Sequence, residues 1–150
     1  MVQAELIWLP AIRRYLVATA IGHLAWEVAH LPLYTLWQSG SRWELTFAVL
    51  HCTAGDVLIA AMSLIAALVL VGTARWPHAR FWRVACCTML AGLGYTLWSE
   101  YLNTVIRQTW TYADAMAVLP WLGVGVTPLL QWVVVPAVAL WLAGRTAIAR

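Results

Sequence analysis

The chain has 150 residues, of which 63% are hydrophobic and only 10% are Asp, Glu, Lys or Arg, against about 25% charged in ordinary soluble domains. It cannot clothe a conventional water-facing surface. All nine basic residues are arginines, the formal charge is +3, and the arginines sit near the ends of apolar runs; this is the signature of membrane topology, and it excludes a nucleic-acid-binding patch.

The N-terminal stretch has no basic residue ahead of its first apolar patch, and Arg13 and Arg14 come only before the long run, an order unlike a cleaved signal peptide. Glu5 to Pro10 reads as a short interfacial segment or a tail. Apolar segments then follow at 15–37, 46–71, 82–102 and 117–142, each near or above the ~20 residues needed to cross a ~30 Å hydrocarbon layer. The expected fold is an all-α four-transmembrane-helix bundle, a single integral membrane domain over residues 1–150. Its separators are QSGSRWE, GTARWPHAR and NTVIRQTWTYADAM. The last has room for a short interfacial helix between spans 3 and 4.

Seven arginines, at 13, 14, 75, 80, 83, 145 and 150, fall on one side of this arrangement and two, at 42 and 107, on the other. The positive-inside bias therefore puts both termini in the cytoplasm. Trp8, Trp37, Trp43, Trp76, Trp82, Trp110 and Trp141 lie near predicted boundaries, whereas Trp26, Trp98, Trp121 and Trp132 are read as deeper. Ala60, Ala61, Ala91, Gly92 and Gly94 are candidates for close helix contacts. Cys52, Cys86 and Cys87 are too few for a disulfide framework and read as small apolar residues.

Polar residues within the spans carry the functional signal. His23, Glu27 and His30 are spaced by four and three, on one helix face, and Tyr34 continues the stripe. The second span supplies His51 and Asp56, the third Glu100, the fourth Gln131 beside Trp132. At ~1.5 Å per residue, Glu27 and Asp56 fall at one depth, His30 and His51 further out, Glu100 nearer the surface. His23 falls below this group and reads as a helix-packing or hydrogen-bonding residue. A carboxylate at the bilayer centre costs about 2.5–3.5 kcal/mol, so both deep acids should face inward and find partners. In the fourth span, Pro128 and Pro136 are expected to interrupt the helix and free the carbonyls of Val124 and Trp132.

The segments WEVAHLPLYTLW (26–37), HCTAGDVLIA (51–60), YTLWSEYLNT (95–104) and PLLQW (128–132) together resemble a family of small, functionally uncharacterised bacterial multi-pass inner-membrane proteins. The resemblance implies a shared inner-membrane architecture and carries no catalytic or ligand assignment.

Three functions compete. The first is a membrane enzyme acting on a hydrophobic or isoprenoid-like small molecule by acid–base chemistry. Glu27, Asp56, His30, His51 and Glu100 are then the catalytic candidates, with Trp26, Tyr34, Trp98, Gln131 and Trp132 lining the substrate site. The second is a haem- or transition-metal-binding membrane protein: His30 and His51 would ligate haem from opposite faces, or join Glu27 and Asp56 around a metal ion. The third is a small proton-coupled transporter or a structural assembly subunit, a homo-oligomer or the partner of another membrane protein. Nothing in the sequence points to nucleic acid.

Overall fold

The computed structural model describes residues 8–145, so Glu5, Leu6 and Ile7 of the expected interfacial segment lie outside the described residues. The chain is predominantly helical: α1 Trp8–His30, the short α2 Leu36–Ser39, α3 Arg42–Val71, α4 Phe81–Glu100 and α5 Val126–Gly144. Three of these segments, Trp8–Leu33, Arg42–Val71 and Val126–Gly144, are long and apolar enough to cross a membrane. The chain is a multi-pass helical membrane protein. α1 packs against α3 and α5, and α4 packs against the same two, so the four long helices form a ring with α1 and α4 on opposite corners.

Local chemistry fixes the helix ends. α1 gives way to a single 3-10 turn at Leu31–Leu33, where Pro32 lacks the N–H that would continue the ladder, and Tyr34 is extended. α3 opens on a capping box: the Glu44 N–H donates to Ser41 Oγ at 3.3 Å while the Ser41 N–H donates to Glu44 Oε2 at 2.8 Å. It closes at Gly72, where any Cβ would overlap the Leu68 carbonyl. α4 begins after Arg80, a left-handed residue (φ 57°), and passes at its far end into a π-helical turn, Tyr101–Ile106.

No interfacial helix joins α4 to α5. Residues 107–117 are irregular, and Val118–Leu119 pairs antiparallel with Val124–Gly125 in a small hairpin. The composition explains this: Thr109, Thr111, Asp114, Pro120, Gly123 and Gly125 favour turns, and Gly123 takes the left-handed conformation (φ 65°) the tip requires. The segment is tied down as a strap. Thr35 N–H donates to Thr111 O at 3.1 Å, and Ala113 N–H donates to Leu33 O at 2.9 Å.

This connection takes up the first part of the fourth apolar segment, so α5 starts at Val126 and Pro128 lies in its first turn. There a missing N–H breaks no helical bond, and the kink expected at Pro128 is absent. Pro136 is inside the helix.

The bundle is tight at one end and open at the other. Around Ala11, Tyr15, Ala60, Leu64, Ala67, Val84, Ala139 and Ala143, small residues let the helices close on each other. A Cβ at Gly92 would collide with the Trp132 ring, and one at Gly22 would lie 2.8 Å from Val135 Cγ1. Trp76 lies in the α3–α4 connection, at the boundary where it is expected, and is buried in this core. Ala91 and Gly94 face outward. Val17, Ile21, Val28, Leu58, Met62, Ile65, Val69 and Leu90 are exposed, an apolar exterior suited to lipid.

Candidate functional site

The i, i+4 repeat of α1 produces one buried stripe, Ala11, Tyr15, Thr19, His23, Glu27 and His30. Its apolar part seals the tight end. Its polar part, starting at His23, meets α3 and α5 where the bundle widens.

The meeting point is the amide of Gln131. Its Nε2 lies 2.9 Å from His23 Nδ1, 3.0 Å from Glu27 Oε1 and 3.0 Å from Asp56 Oδ2. One side chain from α5 thus joins two on α1 and one on α3. The two acids share a donor and are therefore within about 6 Å of each other. Two amide hydrogens cannot serve three acceptors. His23 Nδ1 also stands 3.3 Å from Asp56 Oδ2, an ion-pair contact when the ring is protonated. A proton on Nδ1 makes that approach a hydrogen bond and frees both amide hydrogens for the carboxylates. His23 Nε2 is then buried beside the Trp132 ring with no partner.

A second group lies further along α1. His30 Nε2 is 3.2 Å from Glu27 Oε2, so Glu27 bridges Gln131 on one oxygen and His30 on the other. The His30 ring meets Tyr34 edge-on, 5.4 Å between centroids, and Tyr34 contacts Tyr112 of the strap at the same separation. Tyr112 donates a short hydrogen bond to Glu100 Oε2 and accepts the Gly125 N–H at 2.9 Å. Burial first, and the Glu100 carboxylate second, raise the Tyr112 phenol above its ordinary range, so it remains a donor.

Between these groups is a cavity of about 390 Å³, within the ~300–1,000 Å³ typical of small-ligand sites. Glu27, Asp56, Gln131 and Trp132 form its floor, and Glu100, Tyr34, His51 and Trp110 line its outer part. Among the described residues no arginine lines it, and the chain has no lysine. Three buried polar atoms on lining side chains lack a partner: His30 Nδ1, Thr96 Oγ1 and Trp110 Nε1.

The expected residues thus take up different positions. Glu27, Asp56, His30, Glu100, Tyr34, Gln131 and Trp132 come together around one space. His51 lines it but is exposed and stacks on Phe47, at 5.4 Å and 16°, instead of joining the network. Trp26 and Trp98 do not line it; Trp98 is 56% exposed beside Tyr95 on the outside of α4. Trp121, read as deep, is at the hairpin tip and 97% exposed.

His23, one turn below Glu27, takes the packing and hydrogen-bonding role expected of it and does so as part of the hub, at 0% exposure. Its place on the same helix face as Glu27 was the available signal. Tyr112 had none, since it comes from the connection and reaches the site only through the strap. For the metal reading, no group of three or more His, Cys, Asp or Glu side chains among the described residues has the geometry to hold an ion.

A buried His23–Asp56 contact therefore links two membrane-span candidates, and it is part of a His/carboxylate site inside the bundle. Comparison of the chain with family profiles, curated proteins and solved structures finds no match.

Proposed function

We propose that the chain is a membrane-embedded enzyme that moves a proton to or from a hydrophobic small molecule held in the cavity. The observation that carries this reading is the Gln131 hub, which places Glu27 and Asp56, each beside a histidine, on the floor of a ligand-sized space. An imidazole oriented by a carboxylate is a common acid–base device. Glu27 sets the direction of the His30 ring, and Asp56 sets that of His23. His30 reaches the cavity and exchanges the proton, while Asp56 and Glu27 stabilise positive charge as it develops. Trp132 supplies a ring face to the same charge.

In this reading four helices cross the membrane and both termini face the cytoplasm. Support comes from Arg13, Arg14, Arg75, Arg80, Arg83 and Arg145, which lie at the starts of α1 and α4, in the α3–α4 connection and just after α5. The cavity then opens toward the periplasm. The resemblance noted in the sequence supports a bacterial inner membrane as its location.

The test is hydrogen exchange into lipid. Protein purified with native lipids and incubated in D₂O should place solvent deuterium on carbon in one retained lipid species, read by mass spectrometry. Glu27→Gln and Asp56→Asn should each abolish the label. If no lipid is retained or labelled above an empty-membrane control, the enzyme reading fails.

A further inference from the structure

The polar groups around the cavity are unbalanced in charge. Three carboxyl side chains, Glu27, Asp56 and Glu100, line it. Facing them are His30 and His51 on the wall, with His23 behind Asp56. Every arginine of the described residues lies elsewhere. A ligand bearing phosphate or carboxylate would meet three acids with no guanidinium or ammonium to receive it.

Two of the three unpaired atoms on the lining have the same preference; the third, Trp110 Nε1, is a donor only. Thr96 and His30 are each 7% exposed and line the cavity. Thr96 Oγ1 has no partner, and neither does His30 Nδ1, which is an acceptor while Nε2 donates to Glu27. Both can accept from an N–H donor. The remaining wall includes the Trp132, Tyr34 and Tyr95 rings, whose faces attract cations.

We infer that the cavity takes a hydrophobic cation, an amine-type head on an apolar body, and excludes lipids with phosphate or carboxylate heads. This rests on the cavity being the substrate site of the proposed enzyme, and adds the charge of what enters it. The head lies among the carboxyls and the body runs outward past Cys52 and Ala48.

Gly55 gives a clean test. It lines the cavity, and a Cβ there meets nothing within 4 Å, so a side chain is accepted at its root and Gly55→Leu extends it into the lining. The full-length protein in nanodiscs is titrated with n-octylamine, n-octanol and n-octyl phosphate, which share one tail, and the shift in unfolding midpoint is converted to apparent affinity. Octylamine should bind at least about ten-fold more tightly than octanol, with no shift from octyl phosphate, and Gly55→Leu should abolish the amine effect. Gly55→Ala, which adds a single methyl group, is the companion variant should the leucine protein not fold, and should weaken amine binding measurably. If octanol or octyl phosphate binds as tightly as the amine and is displaced by the Gly55 variants, the cation inference is overturned while the cavity remains a ligand site. If neither variant changes any of the three, the binding site is elsewhere and both readings fall.

Discussion

Gln131→Met removes the hub while nearly conserving its volume. Gln131 is 2% exposed, and its Nε2 is the common partner of Glu27, Asp56 and His23. Methionine fills the space and donates nothing. Hydrogen bonds to charged groups contribute ~1.5–3 kcal/mol each, and an amide has two hydrogens to give, so the upper estimate is ~3–6 kcal/mol. Membrane proteins recover part of such losses, with interhelical bonds averaging ~0.6 kcal/mol in double-mutant cycles. Here recovery is limited, because the two acids lose their shared donor together and His23 Nδ1 can approach only Asp56. A destabilisation of at least ~3 kcal/mol is expected by equilibrium unfolding in mixed micelles. Adding Glu27→Gln should recover part of it, since a neutral amide needs no donor for a second carboxylate oxygen. A loss below ~1 kcal/mol for Gln131→Met, or no recovery in the double variant, would show that the amide does not hold the acids together.

Three further outcomes follow from the packing and the strap. Gly92→Ala should destabilise by ~1–3 kcal/mol through overpacking against Trp132, whereas Gly94→Ala, with nothing within 4 Å, should be neutral or stabilise by ~0.5–1 kcal/mol; equal effects would refute the packing assignment. Tyr112→Phe should cost ~1–3 kcal/mol, from Glu100 losing its donor and the Gly125 N–H its acceptor, and should speed amide exchange at Gly125; unchanged exchange would mean the strap is held by its backbone bonds alone. In a background with Cys52, Cys86 and Cys87 replaced by alanine, Trp121→Cys should react with a membrane-impermeant maleimide on intact cells and Ala74→Cys should not. The opposite pattern would invert the proposed orientation.

The long helices were legible because a bilayer constrains composition over a whole segment, and the floor of the site because carboxylates and histidines are costly there. Spacing placed His30 on the face of Glu27, and depth alone brought Asp56 level with it. Depth could not fix rotation about the helix axis. His51 and Trp98 are at suitable heights but point away from the hub or out of the bundle. His23 joins the hub because the hub lies lower than segment ends at 37 and 46 imply; α1 stops at His30, and the chain spends residues 31–41 in a 3-10 turn, the short α2 and their links. The connection after α4 was opaque for another reason. Its hydrogen bonds to Leu33, Thr35 and Glu100 are long-range, and no local periodicity announces them.

The hub also bears on how the protein is made. Its members are far apart in sequence: Asp56 is 75 residues from Gln131, Glu27 is 104 and His23 is 108. α1 leaves the ribosome before α3 and α5 and is the least apolar of these three membrane-span candidates, yet it carries His23, Glu27 and His30. The amide that meets His23 and Glu27 is synthesised later, on α5. Until α5 arrives, these groups have neither lipid nor a complete set of protein partners to suit them. Before then Glu27 has His30 on its own helix and His23 has Asp56 on α3, but the amide that joins the two pairs is missing. The site is complete only once α5 has joined the bundle.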